Sequence, residues 1–294
     1  MPRRTFYTVD VFAEEKYAGN QLAVINDAHD LTKAQMQRIA NEMHFSETTF
    51  VPSNQPRRGG YDVRIFTPTT EVPFAGHPTL GTAYIIKRFI ASKKTARIVL
   101  NLKSGQIPID FEKNQNGKEV LWMTQSAPTF GKTFPAERFA QILGIQVSEI
   151  ESKCPIREVS TGLPFIIVPL KTLDSVKKAH INSELQLQLT KENPSGLLVF
   201  CPQTCSPEND LHVRVFVDVF GIPEDPATGS GNGCLAAYLS KNRYFGSPKV
   251  DARVEQGYEI ARPSRLYLKA KGEDGKTQVQ VGGSVLLISK GELM

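Results

Sequence analysis

Strand-like runs dominate the pattern of apolar and polar positions along this chain. In the first half they fall at 6–12, 21–26, 48–52, 61–66, 97–102, 106–111 and 120–124, each rich in β-branched or aromatic residues and bounded by turn formers. In the second half the same reading gives 155–160, 164–168, 197–200, 211–219, 253–256, 258–261, 266–271 and 277–281. One more strand is expected at 284–289, with its counterpart running through 126–130. Among the helices, the segment 32–44 is amphipathic: Thr32 and Gln35 have capping-box spacing, and Leu31, Ile39, Ala40 and Met43 mark one apolar face. It should lie on the outside of its lobe. A further helix is expected at 135–143.

Two other helices are of a different kind. From Pro78 to Ile90 the residues are apolar or small on every face until the last turn, and Gly231 to Tyr238 repeats the pattern. A helix without a polar face has to be enclosed. The strands of its own lobe are the natural enclosure, which predicts an α+β fold: two lobes, each a curled, mostly antiparallel sheet around a central helix.

The chain also repeats itself. Val63-Arg64-Ile65-Phe66 recurs as Val213-Arg214-Val215-Phe216, a displacement of 213 − 63 = 150 in 294 residues. Phe50 meets Phe200 at the same spacing, Gly76 meets Gly229 at 229 − 76 = 153, and Gly105 meets Gly257 at 257 − 105 = 152. A period this long marks a duplicated half-molecule rather than a solenoid. The lobes are expected at 1–127 and 128–294, with the last strand, about 284–290, a candidate to pack on the first. A cleft between two such lobes is the expected place for a ligand.

Composition narrows the function classes. The hydrophobic content of 40% and charged content of 22% are those of a globular protein, and no run reaches the roughly 18 apolar residues of a membrane span. Asp10, Glu14 and Glu15 interrupt any signal-peptide block, so the chain is read as cytoplasmic. The formal charge of +5 comes from scattered pairs such as Arg57-Arg58, Lys93-Lys94 and Lys177-Lys178 with acidic residues among them, which argues against a nucleic-acid partner and leaves small anionic substrates open. Cys154, Cys201, Cys205 and Cys234 have no zinc-site spacing, so no metal is expected.

The candidate chemistry lies where the two enclosed helices begin. Gly76-His77-Pro78 and Gly229-Ser230-Gly231 let the backbone approach a ligand closely, and the amides and dipole of a helix start favour an anion. Read blandly, the glycines only permit tight turns. His77 stands in the first copy where Ser230 stands in the second, as in an asymmetric active site. Asp225 lies between a strand and the second helix turn, where it could simply cap that turn. Glu47 heads the apolar run Thr48-Thr49-Phe50-Val51, where a charge is expensive unless partnered. Apolar walls raise a carboxylate's proton affinity, which suits general acid/base work.

Phe45-Ser46-Glu47-Thr48, Gly76-His77-Pro78-Thr79 and Glu224-Asp225-Pro226-Ala227-Thr228-Gly229-Ser230, together with Asp10-Val11-Phe12 and Gly19-Asn20, closely resemble the PhzF-like isomerases of phenazine biosynthesis. The resemblance spans essentially the whole chain. It implies the diaminopimelate epimerase-like fold with two pseudo-symmetric lobes, a homodimer, and cofactor-independent relocation of a proton on a small carboxylated metabolite. It also implies Glu47 as the acid/base, assisted by His77, Asp225 and Ser230, with Gly76, Gly229 and Gly231 against the substrate. Related epimerases and racemases of the wider superfamily place a thiol before the glycine at both helix starts; here those positions are Ala75 and Thr228, so two-thiol racemisation is not expected. The competing class is a non-catalytic metabolite-binding or interaction protein of the same fold. A nucleotide-dependent oxidoreductase would rest only on Gly229-Ser230-Gly231-Asn232-Gly233, whose spacing misses the dinucleotide fingerprint.

Overall fold

The computed structural model describes residues 3–91, 95–191, 194–218, 222–273 and 276–294. It separates into two compact units, Met1–Thr124 with Gly282–Met294, and Gln125–Val281. The first contains β1 (Arg4–Val11), β2 (Asn20–Asn26), α1 (Lys33–Met43), β3 (Glu47–Val51), β4 (Tyr61–Asp62), β5 (Arg64–Phe66), β6 (Glu71–Val72), α2 (Gly76–Ile85), β7 (Arg97–Leu102), β8 (Gly105–Lys113) and β9 (Glu119–Thr124). The second contains β10 (Thr129–Phe134), α3 (Ala136–Leu143), β11 (Ile156–Ser160), β12 (Pro164–Pro169), α4 (Leu173–Lys178), α5 (Ser183–Thr190), β13 (Gly196–Cys201), β14 (Leu211–Val217), β15 (Ile222–Asp225), α6 (Gly229–Lys241), β16 (Val250–Gln256), β17 (Ser264–Glu273) and β18 (Lys276–Gly283). The last strand, β19 (Val285–Leu293), pairs antiparallel with β1 and belongs to the first unit.

The units share one topology. Strand order β19-β1-β2-β3-β5-β6 in the first matches β10-β11-β12-β13-β14-β15 in the second, and β4-β7-β8-β9 matches β14-β16-β17-β18. Even the exceptions correspond, since β2 runs parallel to β3 as β12 does to β13, and β4 parallel to β7 as β14 does to β16. The other described pairings within each unit are antiparallel. Gly105 and Gly257 keep positive φ, +123° and +79°, and mark the turns after β7 and β16.

The enclosed helices are central to their own units. Nine of the ten residues of α2 and every residue of α6 but the last are buried. The first packs against β1, β2, β3, β7, β9 and β19, and the second against β11, β12, β13, β16 and β17. Gly81 permits that approach: a Cβ there would lie 2.6 Å from Leu22 Cδ2 and 2.9 Å from Val11 Cγ2. α1 carries the full capping box, with Gln35 N donating to Thr32 Oγ1 and Thr32 N to Gln35 Oε1, and its apolar face covers Ile25, Phe50 and Phe66. Among the described residues no helix is long and apolar enough to cross a membrane.

Three expectations need correction. Residues 258–261 are a turn rather than a strand, closed by Arg262 N donating to Gly257 O, with Ala261 at φ +56°. α4 and α5 were not anticipated; capped by Thr172 and Asn182, they cover with α3 the outer face of the second unit's sheet over Ile166, Leu197 and Phe216. The helix expected to 90 changes winding after Ile85, where 86–90 form a π-turn closed by Ala91 N donating to Ile86 O. Val219, at the end of the strand expected at 211–219, and the pair Lys93-Lys94 lie outside the described residues.

Candidate active site

In the first unit β3 aims Glu47 at the start of α2. Alternation along a strand puts Glu47 and Thr49 on one face and Thr48 and Phe50 on the other. Phe50 faces α1, whereas the Thr49 hydroxyl lies 2.8 Å from Thr82 Oγ1 of α2. Glu47 therefore meets His77, the second residue of that helix, with Oε2 3.3 Å from Nε2 and the two side chains 16% and 7% exposed. Burial pushes the His77 imidazole down to about 3, against the pull of its hydrogen bond to the Gln21 backbone on β2. The ring is neutral at physiological pH. Since Nε2 makes no hydrogen bond, the proton of the neutral ring sits on Nδ1 and the Nε2 lone pair faces the carboxyl.

In the second unit β15 and the turn after it bring Asp225 to the start of α6. Asp225 Oδ2 accepts from Thr228 Oγ1 at 2.5 Å, so the carboxylate braces the turn. Gln256, fully buried on β16, ties the rest: its Nε2 donates to Asp225 O at 2.7 Å and to Thr228 Oγ1 at 3.0 Å, while its Oε1 accepts from Asn232 Nδ2 at 2.8 Å. Ser230 is the second residue of α6 and 9% exposed. Gly231 could not become a larger residue without pressing on Phe165, 3.2 Å from an added Cβ. Sequence reasoning missed Gln21, Thr228, Asn232 and Gln256. Asn232 is signalled only by its i+4 spacing from Thr228, and Gln256 by nothing local.

Both helix starts lack a capping side chain. The N-cap residues Ala75 and Thr228 make no side-chain hydrogen bond to their helices, whereas Thr32, Thr172 and Asn182 do so elsewhere. Orphan amides that a protein leaves uncapped in buried surroundings are suited to an anionic guest. The sequence-identified residues thus assemble as two sets, Glu47, Gly76 and His77 in one unit and Asp225, Gly229, Ser230 and Gly231 in the other.

The family profile described as phenazine biosynthesis-like protein, PhzC-PhzF, matches residues 9–291. The chain belongs to this family. A trans-2,3-dihydro-3-hydroxyanthranilate isomerase of Pseudomonas fluorescens is 34% identical over 98% of this chain and 99% of its own. The crystal structure of a PhzF-family phenazine biosynthesis protein from Bacillus anthracis superposes with a TM-score of 0.92 at 29% identity, covering 100% of both chains. A hydroxyproline epimerase from Agrobacterium vitis, TM-score 0.63 at 11% identity over 100% of this chain and 91% of that one, shares the fold alone. The architecture is thus the diaminopimelate epimerase-like α+β fold, and the protein is a PhzF-like isomerase.

Neither helix start carries a thiol: Ala75 and Thr228 stand there. Cys234, one turn into α6, is fully buried, and burial pushes its thiol up to about 12. Its Sγ donates to Leu163 O at 3.5 Å, as a core residue.

Proposed function

We propose that the protein moves a proton between carbons of a small carboxylated, unsaturated or cyclic metabolite, without a cofactor, and that Glu47 is the base and acid. The observation that carries the reading is the Glu47–His77 contact. The imidazole Nε2 lone pair lies 3.3 Å from the carboxyl oxygen, where it can receive the proton that Glu47 takes up. Such a pair can accept a proton from carbon at Glu47 and release it at a second carbon, while His77 holds the carboxyl in one orientation. The uncapped amides at Gly76 would stabilise negative charge developing on the substrate. The same proposal gives Gly229, Ser230 and Gly231 an anion-holding role at the start of α6, and Asp225 the task of fixing that helix start through Thr228. The names of the relatives make trans-2,3-dihydro-3-hydroxyanthranilate the first substrate to try.

The test is incubation of the purified protein with this compound and related cyclic carboxylates in deuterated water, read by NMR. The expected outcome is deuterium at carbon in the product, reduced by about 10²–10⁴-fold in Glu47→Gln. Exchange undiminished in that variant overturns the assignment. The homodimer implied by the resemblance belongs to the same proposal and is read by light scattering.

A further inference from the structure

A second cluster of reactive side chains lies away from both helix starts. Cys205 in the loop before β14, His212 on β14 and Glu255 on β16 bring Sγ, an imidazole nitrogen and a carboxylate oxygen within 4.8 Å of one another. His212 Nδ1 is 2.7 Å from Glu255 Oε1 and 4.0 Å from Cys205 Sγ. From this arrangement we propose a divalent-cation site of the zinc class, with these three atoms as ligands.

The surroundings are those of a metal site rather than of a chance contact. His212 Nε2 lies 2.9 Å from Glu259 Oε1, the outer carboxylate that fixes the tautomer and aims the opposite ring nitrogen at a metal. Glu255 is held from behind, with Oε2 accepting from Ser206 N at 3.1 Å and Asn209 Nδ2 at 2.7 Å. Asn209, on Glu255 through its Nδ2, is 93% buried (7% exposed), yet its Oδ1 has no hydrogen-bond partner. His212 and Glu255 are fully buried and Cys205 is exposed, which supplies both a rigid floor and an entrance.

Tetrahedral zinc with bonds of about 2.0–2.3 Å separates neighbouring donors by roughly 3.3–3.7 Å. Nδ1 and Oε1 must therefore part by about 0.6 Å, and the exposed Cys205 Sγ must close in from 4.0 Å on Nδ1 and from within 4.8 Å on the carboxylate. Binding replaces the proton between Nδ1 and Oε1 and the thiol proton, so two protons leave to solvent. Thiolate and carboxylate then balance the ion's charge, and Nε2–H stays on Glu259. A mixed sulfur, nitrogen and oxygen set selects zinc or cobalt over magnesium or calcium. The cysteine spacing did not reveal the site because the carboxylate arrives from Glu255, 50 residues beyond Cys205.

Chelator-treated full-length protein titrated with Co²⁺ tests the site. The expected result is a thiolate-to-cobalt charge-transfer band saturating at one equivalent, bleached by Zn²⁺ and lost in Cys205→Ser. Because the variant lies at an exposed position, its fold is checked by circular dichroism. Zn²⁺ should also raise the thermal midpoint of the wild type, with affinity falling at least about tenfold in Cys205→Ser, the minimum seen when even an outer-sphere partner is lost. Absence of the band, or an equal band in Cys205→Ser, overturns the proposal.

Discussion

Arg214 grips Glu224 through two parallel hydrogen bonds, Nε to Oε1 at 3.0 Å and Nη2 to Oε2 at 2.8 Å. The first unit repeats this with Arg64 and Glu71, at 2.8 and 3.0 Å. Each arginine also stacks on the phenylalanine two residues ahead, Phe66 at 5.2 Å and Phe216 at 4.8 Å. The clamp spans the hairpin that delivers the chain to each central helix, so the duplication keeps the device that fixes where the helix starts.

Breaking one half of the clamp should be costly. Arg214 and Glu224 are each 10% exposed, and Arg214 Nη1 donates to the carbonyls of Val176, Lys177 and Ala179 behind α4. Glu224→Gln leaves the buried guanidinium with only Glu259, 4.0 Å away, as a counter-charge, an expected loss of about 3 kcal/mol in urea unfolding. Arg214→Lys should not rescue, since an ammonium cannot make the fork.

The equivalent carboxylate in the first unit gives a pH prediction. Arg64, then Lys103, hold Glu71 down at about 2, while burial opposes them. Its folded affinity for a proton is below its unfolded one, so its contribution is complete above about pH 5 and disappears as pH falls toward 2. The shift corresponds to about 3 kcal/mol. Unfolding free energies between pH 6 and 3 should fall more steeply in wild type than in Glu71→Gln; parallel curves would contradict the clamp.

His77 should remain neutral where an ordinary histidine is protonated. With burial holding it at about 3, ¹⁵N chemical shifts at pH 5 should show a neutral ring protonated at Nδ1. An imidazolium pattern at that pH would contradict the geometry drawn for Glu47.

Gly81→Ala separates helix propensity from packing. Alanine favours a helix interior by about 0.8–1 kcal/mol. At this position the methyl meets Leu22, Val11 and Val9 at 2.6–3.1 Å inside a closed core. Overpacking of about 1–3 kcal/mol should win, and the thermal midpoint should drop.

Thr228→Val keeps volume and removes the hydroxyl that joins Asp225 to Gln256. Leaving those buried partners short of a bond should cost about 1–3 kcal/mol by denaturant melt.

Legibility followed the range of the interactions. The capping box at Thr32, the all-round apolar helices and the matched Arg64 and Arg214 segments are local patterns, and each was readable. Glu47 was readable because a charge at the head of an apolar strand needs a reason. Gln256 was not, since its bonds to Asp225, Thr228 and Asn232 exist only once β16 lies beside β14. Residues 258–261 misled because Tyr258-Glu259-Ile260-Ala261 alternates like a strand, while the reversal depends on Gly257 at φ +79°. α4 and α5 escaped because each is short and buries only part of one face.

The pairing of β19 with β1, from Arg4 with Leu293 to Val11 with Val285, bears on how the molecule is made. On the ribosome β1 emerges long before the strand that covers its edge, since β19 lies at Val285–Leu293. Until then that edge is an open template for other chains, and a nascent protein stalled before β19 should be a client for chaperones.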